Sequence, residues 1–313
     1  MAISVIYPHP RRETFAGDMR KFANFLFPDL NPRPMSRIIA SAGLMLLIAA
    51  ANAQMPTFQS KPIEQHFPSS QVGMTYKLLI TLPPGYEQEQ RSYPVLYYLD
   101  AWMLGGVMHD SHRIAGLLQA IEPVILVGIS LDGDPSAFFY ARSRDYTPTR
   151  VSPEKLGPDA AAWVPTSGGG KEFLNFLKLE LIPHIEANYR ADSSDRGLLG
   201  YSLGGLFAAW VAYKEPSLFK RYGICSPSLY WDDAMVVRLW ENLPNLAPGS
   251  VVVFSYTGEE DARVKTAVDT LVSLASAKSG VTIKKFEVGG EGHHTGVVAT
   301  HMRALLLLYE KER

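Results

Sequence analysis

A chain of 313 residues, 47% hydrophobic and 19% charged, carries enough apolar side chain for one large core, and its formal net charge of −1 gives it no electrostatic pull toward nucleic acid. No run of Lys and Arg overturns that balance, so a polyanion-binding protein is set aside. The single cysteine, Cys225, excludes an intramolecular disulfide, and its apolar neighbours make it a small core residue rather than a reactive thiol.

Residues 1–34 are punctuated by Pro8, Pro10, Arg11, Arg12, Pro28, Pro32 and Pro34 without a clear apolar period. They are expected to be a non-native or disordered extension, with translation starting at Met35. Residues 35–53 have the form of a secretory signal: Arg37, an apolar run from Ile38 to Ala51, and the small-x-small triplet Ala51-Asn52-Ala53. The run is too short to span a bilayer comfortably. The expectation is an exported protein, periplasmic or secreted, with no stable membrane anchor and a catalytic domain over 54–313.

Beyond Gln54, strand-like and helix-like runs alternate. Tyr76–Leu82 reads as a strand closed by the turn Pro83-Pro84-Gly85. Pro94–Leu99 and Val124–Ile129 are almost wholly apolar, as strands buried on both faces of a parallel sheet should be. The residues after Asp100 read as a loop; a place for His109 and His112 at the pocket rim is the lesser reading, and one away from the pocket the favoured one. Val151–Gly170, rich in Pro, Ala and Gly around Trp163, reads either as a partial lid or as a plain surface insertion. Lys171–Tyr189 has a helical stripe of Phe173, Phe176, Leu177, Leu181, Ile182 and Ile185, with Pro183 bending or restarting it. Gly197–Leu199, Tyr222–Cys225, Val251–Tyr256 and Val281–Val288 follow as strands, and Val297–Tyr309 as the last helix. His184 and His301 fall on or near helices and read as surface residues. The alternation predicts an α/β fold: a mostly parallel central sheet with helices on both faces.

Between the Gly197–Leu199 strand and the helical run from Leu206 stands Gly200-Tyr201-Ser202-Leu203-Gly204-Gly205. Gly-x-Ser-x-Gly in that setting is a nucleophile elbow. A serine hydroxyl needs a base, a group that orients the base, and donors for the oxyanion. In this fold the partners follow in the order Ser, acid, His. Gly258-Glu259-Glu260-Asp261 comes directly after one strand, and Gly290-Glu291-Gly292-His293-His294 directly after the last. Asp261 is chosen as the acid for its Gly-x-x-acid spacing, with Glu260 the fallback and Glu259 a solvated charge. His293, next to Gly292, is chosen as the base, leaving His294 to point away or line the pocket. The backbone N–H of Leu203 should supply one oxyanion donor and that of Ala101 or Trp102 the other. Trp102, Tyr201, Tyr230 and Trp231 are placed at the border of the site, where they favour an apolar or aryl ester; Tyr201 and Trp231 are the candidate substrate-binding residues. Ordinary core packing of these aromatics stands beside that reading. No metal cluster or dinucleotide fingerprint is seen, so no cofactor is expected, and the partner is a small-molecule ester.

From about Thr57 onward the chain resembles the Putative esterase family of α/β-hydrolases, which includes enterochelin and salmochelin esterases, S-formylglutathione hydrolases, feruloyl esterases and mycolyltransferases. The resemblance rests on Tyr93–Asp100, Val127-Gly128-Ile129, Arg144-Asp145-Tyr146-Thr147-Pro148, Glu180–Glu186 with Tyr189-Arg190, Gly200–Gly205, Ser226-Pro227-Ser228 and Gly290–His293. Arg142-Ser143-Arg144-Asp145-Tyr146-Thr147-Pro148 together with the export signal makes it look closest to the siderophore-esterase branch. The resemblance implies a serine carboxylic-ester hydrolase with Ser202 as nucleophile, His293 as base and Asp261 as orienting acid. An acyltransferase or thioesterase with the same triad is the alternative, ahead of a non-catalytic binding protein. Where relatives often have Asp-Gly, this chain has Asp100-Ala101, and alanine resists a positive φ. Which N–H completes the oxyanion hole therefore stays open between Ala101 and Trp102.

Overall fold

In the computed structural model, which describes residues 61–131, 133, 135–155 and 164–311, one sheet is built from β1 (Ile63–Ser69), β2 (Met74–Thr81), β3 (Tyr93–Tyr98), β4 (Ile125–Leu131), β5 (Ala191–Tyr201), β6 (Arg221–Cys225), β7 (Ser250–Thr257) and β8 (Val281–Val288). The extension 1–34, the signal-type segment 35–53 and Trp163 with the centre of the Val151–Gly170 insertion lie outside the described residues. Strand order is β1-β2-β4-β3-β5-β6-β7-β8; β1 and β2 run antiparallel to their neighbours, and all pairs from β4 to β8 are parallel.

The apolar runs become central strands because both faces are covered. Val95, Tyr97 and Leu99 enter one buried cluster, while Leu96 and Tyr98 enter another, as a period of two requires. The second cluster is closed by α1 (Ala101–Leu117) and α8 (Val297–Leu308), through Leu104, Met108, Leu305 and Leu308. The first is closed by α3 (Gly170–Phe176), α4 (Ile182–Asn188), α5 (Leu203–Lys214), α6 (Trp231–Trp240) and α7 (Ala262–Ser276); α2 (Pro135–Asp145) adds Phe138 and Ala141 to it.

Three expectations change. The edge strand β1 was not anticipated: only Ser69 of its seven residues is buried, so it carries no apolar signature, and Pro68 is tolerated there because the edge needs no further donor. The segment after Asp100 is α1 rather than a loop. Gly105 gives it a loop-like composition, yet that glycine lets the helix close onto β2, since a Cβ there would collide with Leu79. His109 and His112 are accordingly buried on α1 and do not reach a pocket: His109 Nδ1 lies 2.8 Å from Thr81 Oγ1, and His112 Nε2 donates to the Val124 carbonyl at 2.7 Å. His301 is not a surface residue either; it is fully buried on α8, its Nδ1 2.8 Å from the Val297 carbonyl.

The helical stripe of Lys171–Tyr189 divides as Pro183 requires. One π turn, Leu177–Leu181, lies between α3 and α4, and Pro183 occupies the first turn of α4, directly after the change of pitch.

Candidate active site

The chain leaves β5 for α5 through Ser202 with φ 60° and ψ −119°, a conformation that strains a residue with a side chain by about 1–3 kcal/mol. Local hydrogen bonds hold it there. Ser202 N–H donates to the Cys225 carbonyl at 3.1 Å, and the Ser202 carbonyl accepts from Leu206 N at 2.9 Å and Ser228 N at 3.0 Å. Two glycines make the turn sterically possible. A Cβ on Gly200 would collide with the Gly204 carbonyl, and one on Gly205 would stand 2.7 Å from the Cys225 carbonyl oxygen.

β7 and β8 are neighbours, and their ladder continues past both ends. Gly258 N–H donates to the Val288 carbonyl at 2.8 Å and Glu259 N–H to the Glu291 carbonyl at 3.0 Å. The two loops that carry the acids and the histidines are thus tied together beside the elbow. His293 spans the gap. Its Nε2 is 3.0 Å from Ser202 Oγ and its Nδ1 is 2.9 Å from Glu260 Oε1.

The carboxylate at His293 is therefore Glu260 and not Asp261. A turn in which Glu260 N–H donates to the Thr257 carbonyl at 3.1 Å aims the Glu260 side chain inward, where it is 5% exposed. Asp261 turns from His293 to the N-cap of α7, at the rim of the same cavity: it accepts from Arg263 N at 2.8 Å and pairs with the Arg263 guanidinium at 2.8 Å. That guanidinium holds the Asp261 carboxyl down at about 2. Burial opposes ionisation of Glu260, but the hydrogen bond and charge of His293 and the Thr257 hydroxyl outweigh it, so its carboxyl titrates below the ordinary glutamate value. Thr257 Oγ1 donates to its second oxygen at 3.2 Å. An ionised Glu260 accepts from Nδ1–H, which leaves Nε2 free to accept the Ser202 proton.

The other expected residues divide between site and core. Leu203, first in α5, lines the cavity beside Ser202, as does exposed His294, whose ring stands edge-on to His293 at 5.4 Å. Tyr201 does not line it: at 4% exposure it donates its hydroxyl to the His293 carbonyl at 2.6 Å and so holds the loop of the histidine. Trp231 is wholly buried with its indole N–H on Thr149 Oγ1 at 3.2 Å, which makes it core rather than a substrate contact. Ala101 is buried and Trp102 stacks on Phe138 at 4.3 Å, so neither side chain faces the cavity. Their backbone N–H groups are the first two of α1, where a helix has no acceptor of its own to offer. The left-handed residue is Asp100, at φ 57°, and Ala101 is helical, so the alanine carries no strain. Asp100 is fixed by a bidentate pair with Arg142 at 2.6 and 3.0 Å and by its N–H on Tyr146 Oη at 3.3 Å.

The cavity over Ser202 has a volume of about 400 Å³. Phe139, Arg142, Ser228 and Tyr230 also line it. Arg142 and Ser228 belong to stretches that stand out in the sequence, but nothing in the spacing assigns them a role; Phe139 has no sequence signal. Cys225 is buried and burial pushes its thiol up to about 12. Among the described residues no three His, Cys, Asp or Glu side chains are placed to hold a metal ion, and no helix is long and apolar enough to cross a membrane.

Residues 69–300 match the model of the family described as Putative esterase. The chain is similar to ferri-bacillibactin esterase BesA of Bacillus subtilis (strain 168), at 30% identity over 244 residues that cover 74% of this chain and 83% of the relative. Among solved structures it is similar to an IroE-like serine hydrolase from Shewanella oneidensis, at 25% identity and TM-score 0.67 over 80% of each chain. It shares the fold of the BES protein from Bacillus cereus, with TM-score 0.71 at 24% identity over 82% of this chain and 98% of that one.

Proposed function

This chain belongs to the Putative esterase family and is a serine carboxylic-ester hydrolase, and from that premise we propose that it works through an acyl-enzyme on Ser202, with His293 as base and Glu260 as orienting acid. One observation carries the assignment of roles: a single imidazole touches the elbow hydroxyl at 3.0 Å and a buried carboxylate at 2.9 Å.

Ser202 Oγ attacks the ester carbonyl while Nε2 takes its proton, and Glu260 stabilises the imidazolium that forms. The same proton then goes to the departing alkoxide. The carbonyl oxygen, negative in the tetrahedral intermediate, is met by the Leu203 N–H at the positive end of α5 and by the N–H of Ala101 or Trp102 at the start of α1. Water repeats the sequence on the acyl-enzyme and releases the acid.

The substrate in this reading is a siderophore ester. Relatives named ferri-bacillibactin esterase and apo-salmochelin esterase support it, as do the exposed rings of Phe139 and Tyr230, which offer flat apolar faces at the cavity to an aryl group. An exported location belongs to the same reading and rests on residues 35–53.

The test is a substrate panel: a catecholate trilactone, a simple aryl ester and an S-acyl glutathione, with products identified by mass spectrometry with and without an added alcohol. The trilactone should be opened by water with the highest kcat/KM. Preference for the thioester, or transfer of the acyl group to the alcohol ahead of water, would overturn this substrate and acceptor.

A further inference from the structure

Ser228 is a second hydroxyl beside the nucleophile that the reaction above leaves without a role. It is 2% exposed, sits in the segment after β6 and places its Oγ 3.3 Å from Oγ of Ser202 in the cavity lining. The position is built. Ser226 N–H donates to the Ser255 carbonyl at 2.8 Å, Ser228 N–H to the Ser202 carbonyl at 3.0 Å, and the Ser228 carbonyl accepts from Trp231 N at 3.1 Å. The glycine just after the elbow pentapeptide belongs to the same arrangement: a Cβ on Gly205 would stand 3.0 Å from Pro227 Cα, so only glycine lets Ser226-Pro227-Ser228 close over the start of α5.

A serine hydroxyl has one proton to give. Ser202 directs its own to His293 Nε2, so at the contact between the two hydroxyls Ser228 is the donor and a lone pair of Ser202 Oγ the acceptor. At 3.3 Å the bond is long in the resting enzyme.

Given the acyl-enzyme reading, on which this rests, we propose that Ser228 is a catalytic residue of deacylation, donating a hydrogen bond to Ser202 Oγ as that oxygen leaves the acyl carbon. Water oxygen bonds to the acyl carbon and its proton passes to His293 Nε2. The tetrahedral carbon then expels Oγ, which takes the electron pair of the broken bond and the proton from Nε2–H. Ser228 keeps its own proton throughout. The effect falls on this half of the cycle because only an interaction that strengthens toward the transition state accelerates a step. A free Ser202 hydroxyl already accepts the Ser228 bond before attack. In the acyl-enzyme Oγ is an ester oxygen, a poor acceptor, so the bond gains strength only as Oγ departs.

The experiment is acid-quench mass spectrometry of the acyl-enzyme formed with a p-nitrophenyl ester, which gives its breakdown rate constant, set beside the rate of labelling by a fluorophosphonate, in which Oγ acts only as nucleophile. In Ser228→Ala the breakdown constant should fall about tenfold while labelling stays within about threefold. Ser228→Cys, which keeps the packing with a weak donor, should show the same selective loss. Equal slowing of both reactions, or breakdown at the wild-type rate in either variant, would overturn the proposal. A wild-type protein that forms neither adduct would overturn the acyl-enzyme itself, a result distinct from both.

Discussion

The hydroxyl of Tyr201 donates to the backbone carbonyl of His293 at 2.6 Å, so the residue before the nucleophile holds the loop of its base. The Tyr201 ring also stands 5.1 Å from the imidazole. Position 201 thereby couples two segments that are distant in sequence and must agree to within a fraction of an ångström for a proton to pass. Tyr201→Phe keeps the ring and removes the bond. It should lower kcat about tenfold with KM little changed, as steady-state kinetics would read; an unchanged kcat would show that the loop stays in place without it.

Glu260 and Asp261 separate cleanly by charge removal. Glu260→Gln keeps the size of the side chain at His293 but cannot stabilise an imidazolium, and kcat/KM should fall at least about a hundredfold. Asp261→Asn disturbs a cap and an ion pair with Arg263 at the cavity rim without touching the imidazole, so kcat should stay within about threefold and the melting temperature should fall slightly.

Ser202→Ala removes the nucleophile while the glycines and backbone bonds that shape the elbow remain. Ester turnover should drop at least about a thousandfold, with the melting temperature within about 3 °C of wild type by calorimetry. Retained turnover would place the nucleophile elsewhere.

His112 makes stability fall toward acid. Burial pushes it from 6.5 down to about 4, with His109 and Arg113 adding to that direction and its bond to Val124 opposing it. The unfolded chain therefore binds the proton first as the pH drops. Its contribution is whole above about pH 6.5 and is lost progressively toward about pH 4. Urea unfolding at pH 7 and pH 4.5 should show wild type losing about 2–3 kcal/mol more than His112→Gln across that interval, and equal losses would contradict it.

The parts of this fold legible in the sequence are those decided locally. The elbow is legible because its sharp turn demands glycine at 200, where a Cβ would meet the carbonyl of Gly204 four residues on. β3 and β4 are legible because burial on both faces makes them almost wholly apolar, with Ser130 turning its hydroxyl onto the Leu131 carbonyl. β1 is not, since an edge strand that buries one residue of seven has nothing to declare it. The helix α1 hides behind Gly105 and two histidines whose partners, Thr81 at the end of β2 and Val124 just before β4, lie outside the helix. The carboxylate beside His293 differs by one position from the one that spacing selects, for a related reason. Spacing from Gly258 counts residues along the chain, whereas the choice is made by the turn at Thr257 and by Arg263, which draws Asp261 away.

The most direct test of the Ser202–His293–Glu260 arrangement is to locate the adduct after reaction with a fluorophosphonate, by peptide mass spectrometry of wild type, Glu260→Gln and His293→Ala. The account predicts one adduct, on Ser202, formed at least about a hundredfold more slowly in both variants. An adduct on any other residue, or labelling of Ser202 at the wild-type rate without His293, would contradict it.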